Sequence, residues 1–346
     1  MKEHKLGVGM IGLGPLTYAH QQGIADSADI AVPVAFCDLD EQLAAERARP
    51  FGAKVYTDYR ELLKDQDVDV VFILLPHHLH YPVAKDALEH GKYVLIEKPL
   101  TIVASEGLEL IELAQNKHLQ FIVAENTRFI TAYIEAEKYL REDTLGDVYL
   151  VRTFIAGNEI YRMADPNNWK GRKTGSGGGA IIDSMPHTFY LLRWLFGGVR
   201  DVQAFAEKLT EDSEVEDNSV IVGHLMGGGI YTAQVSFVVQ APWTERLEIY
   251  GSKGSLIIDQ LCNPPALYYS GENDFNPTPL ENVPFDDLLW KYTSIVAECT
   301  SFLRSVSRGD DPVINPMDAY YAILAIEKSY ESMALGRPVP VPEIHN

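Results

Sequence analysis

The chain has 346 residues, with 49 Asp plus Glu against 29 Lys plus Arg and a formal net charge of −20 at pH 7. The length suits two domains, and a field of that sign repels phosphate backbones and anionic lipid surfaces unless a basic patch is set against it. No such run occurs, so nucleic-acid and membrane partners are excluded, and 46% hydrophobic with 23% charged residues excludes a disordered chain.

No apolar run approaches the ~20 residues that span a bilayer. Cys37, Cys262 and Cys299 make no disulfide framework and fit no zinc spacing, so reduced core residues are expected. The glycines between Leu6 and Leu16 argue against an export signal, which leaves a cytoplasmic location as the expectation.

In chain order, apolar Leu6 to Ile11 leads through a glycine turn into a helix from about Pro15 to Ala25. Strand 30–36, helix 41–49, strand 68–75, helix 81–89, strand 93–96, helix 104–117 and strand 121–124 follow. Apolar strands without polar alternation, each followed by a helix, predict a parallel, doubly wound sheet covered on both faces. The period then changes. Tyr231, Ala233, Val235 and Phe237 alternate with Thr232, Gln234 and Ser236, the pattern of a sheet with one buried face.

Further strands are expected at 148–154, 202–207, 220–225, 247–250 and 255–259, with Gly227-Gly228-Gly229 as a hairpin turn. Leu288, Tyr292, Ile295, Cys299, Phe302 and Val306 recur at helical spacing, and a last helix covers about 318–334. The fold class is therefore α/β plus α+β: a doubly wound Rossmann domain over 1–125, then a second, mainly antiparallel sheet domain with helices over 126–346. The second domain is assigned to substrate binding and oligomerisation, and an exposed sheet face favours a homodimer or homotetramer.

Two glycine registers compete at the first turn. Gly7-x-Gly9-x-x-Gly12 matches the dinucleotide fingerprint, but only six residues precede it and it has no strand in front. Gly12-Leu13-Gly14-Pro15-Leu16-x17 follows a strand and opens a helix, although Thr17 replaces the third glycine. In this register Gly12 makes the tight turn and Gly14 lets backbone approach a pyrophosphate at the helix N-terminus. Asp38, 24 residues past Gly14, stands near the spacing of a ribose-binding acid. With no Arg or Lys in the next three positions, NAD is favoured over NADP.

Glu97-Lys98-Pro99 ends a strand where doubly wound sheets bind ligands, and Pro99 restricts Lys98 to an extended backbone. Farther on, Pro186 suits a first helical turn and Gly197-Gly198 a helix end. This puts His187 near a helix N-terminus, where the partial positive charge favours a neutral ring able to act as a general base. Asp183 stands one turn upstream. His77-His78-x-His80 lacks a fourth ligand, so no metal is expected. Gly175 to Gly179 lacks the Lys-Ser/Thr of a phosphate loop.

These residues together resemble the glucose–fructose oxidoreductase, inositol dehydrogenase and MocA (Gfo/Idh/MocA) family over nearly the whole chain. The resemblance is carried by Gly12-x-Gly14, Asp38, Pro76-x-x-x-His80, His90 to Pro99 with its Glu97-Lys98-Pro99, Arg128-Phe129, Gly178-Gly179-Ala180-x-x-Asp183-x-x-x-His187, Glu248 to Gly254, and Gly336 to Val339. It implies a pyridine nucleotide and a polyol or sugar substrate. Gly12, Leu13, Gly14, Pro15, Leu16, Asp38, Leu75, Pro76, His80, Glu97 and Lys98 are then the cofactor-binding candidates. Lys98, Asp183 and His187 are the catalytic candidates, with His187 as base and Lys98 stabilising the alkoxide. Substrate contacts are expected from those three with Arg128, Tyr161, Arg162 and Trp169. An acid is frequent in the family three residues after the histidine; Tyr190 stands there instead, which leaves the particular sugar open.

The leading expectation is an NAD-dependent dehydrogenase oxidising a secondary hydroxyl of a sugar, sugar derivative or cyclitol. An NAD-recycling glycoside-cleaving enzyme would release sugar without net NADH, and a nucleotide- or sugar-sensing protein would turn nothing over.

Overall fold

The computed structural model describes residues 5–259, 266–271, 278–279 and 290–344. Cys262 and Leu288 lie outside them. By its contacts the chain divides into two units, Met1–Phe129 with Lys291–Tyr320, and Ile130–Trp290 with Tyr321–Asn346.

The first unit alternates strands and helices: β1 (Leu6–Ile11), α1 (Thr17–Ala25), β2 (Ala31–Cys37), α2 (Glu41–Ala48), β3 (Lys54–Tyr56), α3 (Tyr59–Lys64), β4 (Val70–Ile73), α4 (His80–Glu89), β5 (Tyr93–Glu97), α5 (Ala104–Asn116) and β6 (Phe121–Ala124). The six strands are parallel, in the order β3-β2-β1-β4-β5-β6. All four residues of β4 have no exposed surface, as a strand covered on both faces requires. The order reverses between β1 and β4, and ligands of such sheets bind beyond the strand ends at that reversal.

The segment 291–320 lies far beyond the expected boundary at residue 125, yet packs in this first unit. Cys299 there sits so close to α1 that a Cβ on Gly23 would stand 2.4 Å from the Cys299 Cβ. The Phe302 ring meets Phe72 at 6.5 Å, and the Ser305 hydroxyl donates to Gln120 Oε1 at 2.8 Å.

The second unit contains α6 (Thr131–Arg141), β7 (Val148–Ala156), α7 (Ile160–Ala164), α8 (Lys173–Ser176), α9 (Ala180–Phe196), β8 (Asp201–Glu207), β9 (Asn218–His224), β10 (Ile230–Ser236), β11 (Thr244–Gly251), β12 (Gly254–Asp259), β13 (Ala266–Gly271) and β14 (Thr278–Pro279). The helix α10 (Trp290–Arg308) then runs into the first unit from Lys291, as does the start of α11 (Pro316–Leu335) up to Tyr320, and the rest of α11 with β15 (Val339–Pro340) completes the second. Among the described residues its sheet has nine strands, ordered β14-β13-β12-β11-β7-β10-β9-β8-β15. Only β7 and β10 pair in parallel; the other neighbours are antiparallel. Tyr231, Ala233 and Val235 are buried as their alternation requires, and α9 packs across β10 and β9. Gly228 (φ 99°) and Gly229 (φ 81°) supply the left-handed turn between those two strands.

Candidate active site

In the first unit the expected cofactor residues converge at the carboxyl ends of β1, β2, β4 and β5. Gly12 has φ 86°, and a Cβ there would lie 2.4 Å from the Leu74 carbonyl oxygen and 2.9 Å from the Leu75 side chain. Only glycine makes this turn. Gly14 differs: a Cβ would meet nothing within 4 Å, so the protein's own packing does not require a glycine there. By contrast Gly7 and Gly9 lie inside β1, where Cβ atoms would collide with the Asp67 carbonyl oxygen and the Leu62 side chain. They are packing glycines of the strand.

The Leu13 side chain is buried, and its N–H donates to Asp38 Oδ2 at 2.9 Å. Asp38 Oδ1 accepts from Asp40 N–H at 3.0 Å. One carboxylate thus ties the glycine turn to the end of β2 and keeps lone pairs for further donors. Leu16 is 41% exposed, while Thr17, the first residue of α1, is fully buried with an unpartnered hydroxyl oxygen. The open space at Gly14, the half-buried Asp38 and this orphan hydroxyl beside a helix N-terminus all suit a dinucleotide. Gly12, Gly14, Asp38 and Thr17 would hold it.

His80 turns inward and is fully buried. Its Nδ1 lies 2.6 Å from the Pro99 carbonyl oxygen and its Nε2 2.8 Å from that of Leu75. Burial lowers its pKa below the usual histidine value, against the pull of the two carbonyls. The ring therefore sits between the Leu75-Pro76 and Lys98-Pro99 turns, and in its neutral form its one N–H donates to one of the two carbonyls.

Lys98 follows β5 directly, half-buried, with a cis peptide bond to Pro99. Glu97 Oε2 accepts from the Lys98 N–H at 3.1 Å, and Glu97 Oε1 meets His20 Nε2 at 3.0 Å. His20 Nδ1 in turn faces Cys299 Sγ at 3.0 Å. Burial above all pushes the Cys299 thiol well above its ordinary value, so it remains an inert thiol. Among the described residues no group of three or more His, Cys, Asp and Glu is placed to hold a metal ion, the His77 to His80 turn included. Arg128 is half-buried in the 3₁₀ turn Asn126–Phe129 that closes the main segment of this unit.

In the second unit α9 begins at Ala180, not near Pro186 as the sequence suggested, and Pro186 lies inside it. The reason is a distant cap. Glu216 Oε1 accepts from the Gly179 and Ile181 N–H groups at 3.0 and 3.1 Å, and the Tyr330 hydroxyl donates to the same oxygen at 2.9 Å. Burial raises the Glu216 pKa, while Tyr330 and the backbone donors oppose that shift. His187 is thus the eighth residue of the helix. A helix dipole acts within the first turn, so the helix-end argument for a neutral imidazole does not hold. Asp183 occupies that first turn instead.

Asp183 and His187 are four apart and share a helix face. Asp183 Oδ1 and Oδ2 accept from Lys170 Nζ at 3.1 and 2.9 Å. Lys170 stands in the 3₁₀ turn Trp169–Gly171, which abuts α7. On α7 the Arg162 guanidinium lies 5.2 Å from the Tyr161 ring and pairs with Glu159 at 2.7 Å. Tyr161 is 62% exposed. Tyr190 is buried within α9. Neither Lys170 nor Glu216 is legible from motif spacing, because each reaches α9 from another element.

Residues 6–125 match an oxidoreductase family with an NAD-binding Rossmann fold, and residues 133–257 match the GFO/IDH/MocA C-terminal domain. Levoglucosan dehydrogenase of Pseudarthrobacter phenanthrenivorans is 34% identical across 98% of this chain and 99% of its own length. A dTDP-3,4-didehydro-2,6-dideoxy-alpha-D-glucose 3-reductase of Streptomyces violaceoruber is 31% identical over 70% of this chain and 74% of its own. A solved levoglucosan dehydrogenase in complex with NADH and L-sorbose shares the fold with a TM-score of 0.90 at 24% identity, over 99% of this chain and 100% of that one. Two matched domains, a parallel six-stranded sheet with a dinucleotide turn, and a near full-length relative lead to one conclusion: the chain belongs to the Gfo/Idh/MocA family of NAD-binding oxidoreductases.

Proposed function

We propose that this enzyme is an NAD-dependent dehydrogenase that oxidises a secondary hydroxyl of a neutral sugar, anhydrosugar or cyclitol. The observation that carries the reading is the convergence of Gly12, Asp38, His80 and Lys98 at the carboxyl ends of the parallel strands. This grouping supports a nucleotide at the glycine turn with Lys98 at the same end of the sheet. The near full-length likeness to a levoglucosan dehydrogenase supports a sugar substrate.

In this reading Asp38 binds the adenosine ribose hydroxyls and its charge repels a 2′-phosphate, which favours NAD over NADP. NAD, when bound, accepts hydride from the carbinol carbon. His187 takes the hydroxyl proton, Lys98 stabilises the alkoxide that develops, and Asp183 receives a neighbouring hydroxyl. Arg128, Tyr161, Arg162 and Trp169 contribute to sugar recognition. Buried, unbridged Cys37 and Cys299 support a reducing cytoplasmic setting. No helix among the described residues is long and apolar enough to cross a membrane. Exposed Phe205 and Ile230 on β8 and β10 support a homodimer or homotetramer.

The test is a panel of levoglucosan, hexoses and inositols followed by NADH absorbance. At least one member should reduce NAD. With that substrate, Lys98→Ala and His187→Ala should each lower kcat by ~10²-fold or more. Near-normal turnover in both variants would refute the assigned roles.

A further inference from the structure

Lys170 has no part in the roles assigned above, yet its place beside Asp183 is closely defined. The turn that carries it is anchored on three sides. Asn168 Oδ1 accepts from the Lys170 N–H at 3.1 Å, and the Glu214 N–H donates to the Gly171 carbonyl at 2.9 Å. A Cβ on Gly171 would lie 2.0 Å from the Met163 carbonyl oxygen, so the turn is pressed against α7. The ammonium lies 5.7 Å from the Trp169 ring centroid on one side, within the range of a cation–π contact. On the other it meets both oxygens of Asp183. Lys170 and Asp183 side chains are 26% and 14% exposed, so water screens the pair only in part. Removing one partner takes a partly desolvated ion pair away from the other.

We propose that Lys170 is the positioning and specificity-determining residue of the Asp183 carboxylate. It fixes that carboxylate one helical turn from His187 and cancels its charge, so that the site accepts neutral hydroxylated substrates and disfavours cationic amino sugars. A two-point hold by an anchored ammonium restricts the rotation of Asp183. Without Lys170 the Asp183 carboxylate loses a two-point ion pair and one compensating positive charge, and a more negative site attracts an ammonium-bearing substrate. This inference rests on the reading of the chain as a sugar dehydrogenase.

The experiment compares wild type, Lys170→Met and Lys170→Arg on a neutral sugar that the wild type oxidises and on its amino-sugar analogue. NADH binding and far-UV circular dichroism establish that each variant is folded. Lys170→Met should lower kcat on the neutral sugar about tenfold with KM for NAD unchanged, and raise the amino-to-neutral ratio of kcat/KM about tenfold. Lys170→Arg should restore most of kcat and keep the wild-type ratio. Equal damage in both variants with an unchanged ratio overturns the proposal, as does a wild-type profile in Lys170→Met. If wild type oxidises no sugar, the functional reading fails by itself. The pairing is then read without substrate, from melting temperatures of Lys170→Met, Asp183→Asn and the double variant. Non-additive losses support the clamp, and additive losses overturn it.

Discussion

The two glycines of the first turn have different tasks, and they separate folding from binding. Gly12 combines a left-handed backbone with a Cβ position 2.4 Å from a carbonyl oxygen. Gly12→Ala should therefore destabilise the fold by at least the ~1–2 kcal/mol of a left-handed L-residue, seen as a clear fall in melting temperature. Gly14→Ala meets no protein atom and should leave stability within about 0.5 kcal/mol, while weakening NADH binding about tenfold or more in a fluorescence titration. Unaltered NADH affinity in Gly14→Ala would remove this residue from the cofactor site. At this scale the register was legible because a fingerprint needs a strand in front of it, and the better-spelled Gly7-x-Gly9 match lies within β1. The place of Asp38 at the end of β2 was legible from spacing, but its bonds to the Leu13 and Asp40 N–H groups were not. Nor was the inward ring of His80: a histidine turned onto backbone carbonyls has the same spacing as one that faces a ligand.

Helices carry the information that local patterns lose. Ile295, Cys299, Phe302 and Val306 on α10 are buried as their period predicts, whereas Tyr292 of the same stripe is 37% exposed. Glu298 breaks the pattern in the other direction: it is fully buried, and neither carboxylate oxygen has a hydrogen-bond partner. Burial first, then the Glu97 and Glu125 charges, raise its pKa well above the ordinary value. An acid neutral in the folded state and ionised in the unfolded one contributes stability that is present below its unfolded pKa and lost as pH rises toward the folded one. Glu298→Gln copies the neutral form. Its melting temperature should gain on wild type progressively between pH 5 and pH 8 in calorimetry; a constant offset across that range would refute the neutral-acid assignment. The start of α9 was illegible for a related reason. Its cap, Glu216, lies 37 residues from Gly179 in sequence, and Pro186 drew attention to a false first turn. Segments as short as β3, at three residues, and α3, at six, show too little period to be read.

For the whole molecule, the alternation of strands and helices announced the parallel sheet, and the change of period announced the second sheet. The return of 291–320 to the first unit was not announced, since helix periodicity shows that a face is buried without naming its partner. That return makes the Rossmann sheet depend on residues distant in sequence. A fragment ending at Phe129 lacks the buried Cys299, Phe302 and Leu303 and leaves the surfaces around Gly23 and Phe72 uncovered. It should melt without a cooperative transition and bind a hydrophobic dye, and fusing residues 291–320 to it through a flexible linker should restore cooperative melting. A sharp transition in the bare fragment would show that α10 is dispensable. The same return orders events on the ribosome. Between Phe129 and Arg308, the end of α10, 179 residues must be made, or roughly 9 to 36 s at about 5 to 20 residues per second. The nucleotide-binding unit is begun first but finished late, after the strands of the other sheet from β7 to β14 have already been made. Throughout that interval its apolar α10-facing surface has no cover of its own and must stay shielded from other apolar surfaces until α10 is made.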